Sequence, residues 1–278
     1  MDLFINGKPA DIVIEKEKNV GDVLSGMEQW LAGSGSRLSG LCIDGRTIGS
    51  LELPLAMEHA LENIRTLDIK VSTWDEIAME ALNDLKNYSV LFSDSKFDER
   101  PGIITNWEES AAKTFLSAEI KDLHDAACNS FSGTGLTAAE LGILAEERIR
   151  ELEEPDLEIR NMEKPISEVA ARMGELPLDV QTGKDGKAAE TIQIFTRMAE
   201  KLFRILGILN RRIKTESITV NGISMKDFLV NFGTVLEELT TAYKNEDTVL
   251  IGDLAEYELA PKLVELYSAI RALTGKEA

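Results

Sequence analysis

Apolar residues alternate with polar ones, in the manner of half-buried strands, mainly near the start of this 278-residue chain. The last clear alternation runs from Leu67 to Val71. Beyond it, apolar residues recur three and four positions apart, which is the spacing of amphipathic helices. The sequence therefore predicts an α+β protein. A β-rich unit is expected at residues 1–73 and a helical bundle at 74–278, with a further division near residue 180 left open.

Turn-forming residues indicate how the N-terminal unit begins. The Asn-Gly pair at 6–7 suits a type I′ turn and predicts a hairpin between residues 3–5 and 12–14. A longer loop remains an alternative, because Pro9 has no N–H to donate to a strand partner. Either connection places two short strands at the start of the chain.

The pattern in the rest of this unit predicts, in order, a helix, a strand, a short strand, a short helix and a final strand. A flexible connection is expected at 33–40 and the short helix at 55–63. With the two opening strands, this order resembles the ubiquitin-like β-grasp fold over residues 1–73. Modifier proteins of that group react through a free C-terminal Gly-Gly, whereas here Thr73 continues into more chain. The resemblance therefore implies a binding or scaffolding module.

Capping boxes predict where several helices begin, because an N-cap side chain is followed three residues later by an acid. The three pairs are Asn19 with Asp22, Thr73 with Glu76, and Thr137 with Glu140. One long helix is expected at 104–133. The most apolar helix, at 188–212, is expected at the centre of the bundle. A small hairpin is expected around Asn221 and Gly222, which again form an Asn-Gly pair.

Residues that usually carry catalysis are sparse. Neither His59 nor His124 has a second histidine four residues later, which excludes a helical zinc pair. Asp125 is adjacent to His124, and neighbours on a helix diverge, so no contact between them is expected. Cys42 and Cys128 have no CxxC or Cys–His spacing and are expected to be inert, reduced thiols.

No motif for a cofactor is found, because the glycine-rich stretches lack the pattern of a phosphate-binding loop. Two pairs of acids four residues apart could share a metal ion between helices. They are Glu147 with Glu151 and Glu154 with Glu158. The companion ExxH motif of di-iron bundles is missing. A solvated acidic face is the expected interpretation, and no catalytic residue or metal ligand is assigned.

The formal charge of −19 disfavours nucleic acid and anionic membranes as partners and favours basic ones. No apolar run is long enough to span a bilayer. The N-terminus lacks the basic and apolar regions of a signal peptide. A cytoplasmic protein is therefore expected.

The segment 245–270 combines many acids with a helical apolar pattern. On one continuous helix, Tyr257 would lie on an apolar side flanked by Asp253 and Glu256, and Tyr267 would lie near its edge. One interpretation is an acidic-rimmed groove that binds a basic or amphipathic helix of a partner protein. The alternative is a final bundle helix with a solvated outer face. Pro261 is expected to kink or divide the helix.

Residues 195–273 are similar, in composition and helix pattern, to the helical export chaperones and assembly factors of bacterial flagella and related systems. That resemblance implies a protein that holds a helix of its partner. The leading hypothesis is thus a non-catalytic adaptor or assembly factor. An enzyme with a metal or carboxylate site between bundle helices, and a self-assembling structural protein, remain alternatives.

Overall fold

The computed structural model describes residues 1–12, 14, 16–49, 52–213 and 219–274. In these residues a five-stranded mixed sheet comes first and is followed mainly by helices, so the predicted α+β class is confirmed. The chain folds into two compact units, Met1–Ile149 and Arg150–Ala278. The boundary after residue 73 stays a prediction; the last strand of the sheet ends at that residue.

The sheet of the first unit contains β1 (Asp2–Ile5), β2 (Lys8–Pro9), β3 (Ser36–Ile43), β4 (Arg46–Thr47) and β5 (Thr66–Thr73). Their order across the sheet is β2-β1-β5-β3-β4. β1 runs parallel to β5, and the other neighbouring pairs are antiparallel. Helix α1 (Val20–Leu31) packs its apolar side into the core that it shares with Leu67 and Ile69 of β5.

The predicted turn at 6–7 is confirmed, since Asn6 and Gly7 have φ angles of 51° and 73°. The strand that follows it is β2, at residues 8–9, rather than 12–14. The two-residue turn places Lys8 opposite Ile5 at once, so pairing begins earlier than the apolar pattern indicates. Val13 lies outside the described residues.

The predicted flexible connection at 33–40 is wrong for its second half, because β3 begins at Ser36. Pairing with β5 holds this strand, and its register shifts between Leu38 and Gly40. The Gly40 backbone lies against the side chain of Lys70, where a Cβ atom would be 3.4 Å from its nearest neighbour. Contact with a well-formed neighbouring strand outweighs the low strand preference of Gly and Ser.

Helices complete the first unit, and they are shorter than the sequence pattern predicts. They are α2 (Leu53–Met57), a 3-10 turn (Leu61–Asn63), α3 (Trp74–Asp94), α4 (Arg100–Glu108), α5 (Ala111–Glu119) and α6 (Lys121–Phe131). The expected helix at 104–133 is therefore three helices. Ser110 caps α5 by accepting from the N–H of Lys113, and Ile120 leaves the helical conformation with φ −137°. The expected helix at 55–63 is likewise split into α2 and the 3-10 turn.

All three predicted capping boxes form. In each, the side chain of the first residue accepts from the backbone of the acid, and the acid accepts from the first residue's backbone. They begin α1, α3 and α7 (Ala138–Glu153), respectively. Because the N-terminal N–H groups of a helix lack internal partners, each cap stabilises its helix by about 1 kcal/mol.

In the residues that the structure describes, the second unit is helical apart from one small hairpin. Its elements after α7 are α8 (Pro155–Asn161), α9 (Glu163–Gln181), α10 (Asp185–Ile213), β6 (Thr219–Val220), β7 (Ile223–Ser224), α11 (Met225–Lys244), α12 (Thr248–Asp253) and α13 (Ala260–Thr274). The hairpin turns at Asn221 and Gly222 as predicted. Phe195, Leu202 and Ile205 of α10 have no exposed surface, which is the burial that the apolar pattern predicts.

The chain between α12 and α13 widens into a π-helical segment, Leu254–Leu259. Pro261 is the second residue after it. Proline cannot donate to the carbonyl four residues earlier, here that of Tyr257, and its ring would clash with that carbonyl in a regular α-helix. A wider turn relieves this conflict without ending the helical path. The predicted division near Pro261 therefore takes the form of a π-helical segment.

Candidate functional site

Two hollows open between α10 and α11, near the opposite ends of the pair. The first encloses about 430 Å³ and is lined by Ala189, Ile192, Gln193, Leu239, Thr240, Tyr243 and Lys244. The second encloses about 340 Å³ and is lined by Phe203, Leu206, Gly207, Asn210, Leu229, Gly233 and Leu236. The beginning of α10 faces the end of α11, so the helices are antiparallel. We refer to the two hollows and the surface between them as the α10–α11 groove.

Aromatic rings of α10 and α11 pack against one another. Phe232 of α11 is fully buried, and its ring centroid lies 6.2 Å from that of Phe195 and 5.5 Å from that of Phe203. The first pair is stacked and the second meets edge to face, which are favourable aromatic geometries. Of these three rings, that of Phe203 also lines the second hollow.

Two glycines help to keep the second hollow open. Gly207 and Gly233 lie on its opposite walls, each in the interior of a long helix. A Cβ atom added to Gly233 would meet no atom within 4 Å. Glycine in a helix interior costs about 1 kcal/mol relative to alanine. A residue larger than Gly233 would therefore fit at this position and would stabilise α11, but it would fill part of the hollow.

The two hollows together extend along most of α11. From Leu229 to Lys244, α11 rises about 22 Å along its axis, at about 1.5 Å per residue. That length matches about four turns of a bound helix. Apolar walls with a few polar residues at the ends are typical of grooves that hold the apolar face of an amphipathic helix.

The structure brings three of the four predicted partner-binding residues together. Asp253, Glu256 and Tyr257 lie at the junction of α12 and the π-helical segment. Tyr257 is 66% exposed, and the negative charge of Glu256, which also accepts its hydrogen bond, raises the pKa of its phenol. Tyr267 is only 9% exposed and belongs to the core. Tyr267 is therefore a core residue and not the partner-binding surface residue that the sequence predicted. Burial also raises the pKa of its phenol.

The apolar side predicted for the last helical segment is divided between solvent and the core. Leu250, Tyr257 and Val264 of that side are exposed by 41%, 66% and 39%, whereas its Leu254 is buried. The buried residues of the segment are Ile251, Leu254, Ala255, Leu259, Ala260, Leu263, Leu266, Tyr267 and Ile270. Gly252 sets this orientation, because its backbone lies against the ring of Pro177 in α9. An outward apolar strip beside Asp253 and Glu256 results.

Of the acids considered for a metal site, Glu151 and Glu158 are buried and paired with cations. The carboxylate of Glu151 accepts from Nε and Nη2 of Arg204 at 2.9 and 2.8 Å, and Glu158 lies 2.7 Å from Nζ of Lys201. Such pairs neutralise charge inside the second unit. In the described part of the chain, no group of three or more His, Cys, Asp and Glu side chains has a metal-binding arrangement.

The expectation that His124 and Asp125 do not touch is wrong. Nδ1 of His124 lies 3.0 Å from Oδ1 of Asp125, and its Nε2 lies 3.6 Å from Sγ of Cys128. The Asp125 side chain bends back toward the ring, and Cys128 is one helical turn further on. This His–Cys spacing of four residues is in the sequence and was the missed signal. Burial, reinforced by the negative charge of Glu108, raises the pKa of the Cys128 thiol.

The comparisons with known proteins point to no biochemical activity for this chain. Residues 1–73 match the family model of the TP0873 N-terminal domain, and residues 159–269 match that of a domain of unknown function, DUF8042. An uncharacterized protein of Treponema pallidum strain Nichols is 18% identical over 270 residues, which cover 97% of this chain and 96% of that protein. No solved structure matches. The second matched segment contains both walls of the α10–α11 groove.

No helix among the described residues is both long enough and apolar enough to cross a membrane.

Proposed function

We propose that this protein is a non-catalytic adaptor or assembly factor that holds an amphipathic helix of another protein in the α10–α11 groove. The observation that carries the proposal is the pair of apolar hollows along two antiparallel helices. A bound helix would place large apolar side chains in both hollows and leave its polar side in water. Each well-buried large apolar side chain would contribute about 1.5–3 kcal/mol.

The charge of the chain favours a partner helix with basic residues outside its apolar face. The net charge of −19 attracts such a segment and raises the rate of encounter at low salt. The exposed strip around Tyr257, with Asp253 and Glu256, is a second place where basic residues of the partner would be favoured. Tyr267 has no part in this proposal, because it is buried.

The N-terminal unit is proposed to be a ubiquitin-like β-grasp module that serves for binding or scaffolding. The order β2-β1-β5-β3-β4, with β1 parallel to β5 and α1 packed against the sheet, supports this assignment. The resemblance of residues 195–273 to flagellar export chaperones makes a flagellar or related export substrate the first partner to test. Such an adaptor would act in the cytoplasm, and its two free cysteines suit that compartment.

Site-specific photo-crosslinking in cells tests the proposal. A photoreactive residue is placed at Thr240 in the first hollow, at Asn210 in the second, or at Gly174 on the exposed surface of α9. The proposal predicts one protein cross-linked at both hollows through the same amphipathic helix, and no such product at Gly174. Equal capture at all three positions, or capture through a segment that is not amphipathic, would contradict it.

A further inference from the structure

We propose that His124 and Cys128 form a two-residue binding site for a thiophilic metal ion such as Zn²⁺, oriented by Asp125. The site lies on α6 in the first unit and is independent of the α10–α11 groove. The remaining coordination positions would be filled by water or by a small thiol. The carrying observation is the 3.6 Å separation between Sγ of Cys128 and Nε2 of His124.

That separation fits two ligands of one tetrahedral ion. Zinc binds cysteine sulfur at about 2.3 Å and histidine nitrogen at about 2.0–2.1 Å, so a tetrahedral angle places the two ligand atoms about 3.5 Å apart. The two residues are four positions apart on the same helix and therefore lie on the same side. A metal ion could thus bind with little movement of either side chain.

Asp125 supplies the orientation that metal-binding histidines usually have. Its Oδ1 is 3.0 Å from Nδ1 of His124. A carboxylate at that position favours the tautomer that carries the proton on Nδ1, which leaves Nε2 as the ligand atom. Carboxylate–histidine–metal arrangements of this kind recur in zinc proteins and strengthen the ligand. A simple hydrogen bond between the thiol and the imidazole would not require the Asp125 carboxylate on the other ring nitrogen.

The surroundings are accessible and carry negative charge. The His124 side chain is 19% exposed, and Cys128 is partly exposed. The charged groups near the thiol are the carboxylates of Glu108 and Asp125 and the ammonium of Lys113. Binding would release the thiol proton to solvent and form a sulfur–metal bond, so that a dication replaces one proton.

Titration of the full chain with Co²⁺ tests the site, because a cobalt–thiolate bond gives a charge-transfer absorption band. We expect one saturable band per chain, displaced by Zn²⁺ and lost in both Cys128→Ser and His124→Ala. Asp125→Asn should weaken binding by about 10- to 100-fold without removing the band, as for other carboxylates that orient a ligand. Cys42→Ser, at the other thiol, should leave the titration unchanged.

Circular dichroism of each variant separates loss of the site from loss of the fold. The proposal is overturned if the folded protein gives no thiolate band. It is also overturned if the band survives in folded Cys128→Ser, or if Asp125→Asn binds Co²⁺ as tightly as the unmodified chain. The last result would show that Asp125 does not orient His124 as a metal ligand.

Discussion

Replacing Gly233 by leucine should stabilise the second unit while closing the second hollow of the α10–α11 groove. A Cβ atom at this position meets no atom within 4 Å, so the new side chain enters open space among the hollow's apolar walls. Leucine is a far better helix former than glycine, and the free energy of unfolding should rise by about 0.6–1 kcal/mol. The melting temperature should rise by about 2–4 °C.

The same substitution should weaken partner binding, because the leucine occupies the space of one apolar anchor. An anchor worth about 2 kcal/mol corresponds to a loss of about 30-fold in affinity. Gly174→Leu is the matched control, because Gly174 lies exposed on α9 with no atom within 4 Å of its added Cβ. The control should gain similar stability and keep full affinity.

Urea unfolding and calorimetric binding of the partner segment measure the two effects on the same preparations. Opposite signs, a more stable protein that binds more weakly, cannot come from partial unfolding. A Gly233→Leu protein that is less stable than the unmodified chain would show that the second hollow is closed in solution. Unchanged affinity in a stabilised variant would show that the partner does not use this hollow.

The remaining predictions concern stability. Glu151→Ala should lower the free energy of unfolding by about 3 kcal/mol, because it leaves the Arg204 guanidinium without its buried carboxylate. Asp179 Oδ2 lies 2.8 Å from Nζ of Lys187, and this cation holds the pKa of the carboxyl below its ordinary value. The stabilising effect of the pair is therefore complete above about pH 4 and is lost as pH falls through the lowered value. Asp179→Asn should therefore reduce the acid dependence of urea unfolding. Asn19→Ala should cost about 1 kcal/mol in the same assay, through loss of the α1 cap.

Each of these predictions has a result that would contradict it. Glu153→Gln, on the exposed side of α7, is the control for Glu151 and should change stability by less than about 0.5 kcal/mol. Equal losses of stability in Glu151→Ala and Glu153→Gln would show that the buried pair of Glu151 with Arg204 does not stabilise the fold more than an exposed acid does. An Asp179→Asn protein with unaltered acid unfolding would show that its ion pair does not persist in solution. An Asn19→Ala protein of unchanged stability would argue against the cap.

Local signals in the sequence predicted the parts of the fold that depend on short-range chemistry. Asn-Gly turns and capping boxes act within four residues, so Asn6 and Thr73 indicate a turn and a helix start without knowledge of the tertiary structure. The first half of β3 was missed because pairing with β5 holds it, and residues 36–40 carry little strand preference of their own.

The buried side of the last helical segment depends on contacts that the sequence does not display. Apolar residues occur all round it, so Leu250 and Ile251 were equally plausible core positions. The close approach of Gly252 to Pro177 and the π-helical segment select Ile251. The α10–α11 groove was missed for a related reason, since a hollow arises from two helices together. Gly233 within an apolar helix was the available signal.

Isothermal titration of the full chain with the helix segment identified by cross-linking is the most direct test of the proposed function. The account predicts one segment bound per chain, weakened about 30-fold by Gly233→Leu and unaffected by Gly174→Leu. Equal affinity for all three proteins, or no binding of any helix that cross-linking recovers, would contradict an adaptor that acts through the α10–α11 groove.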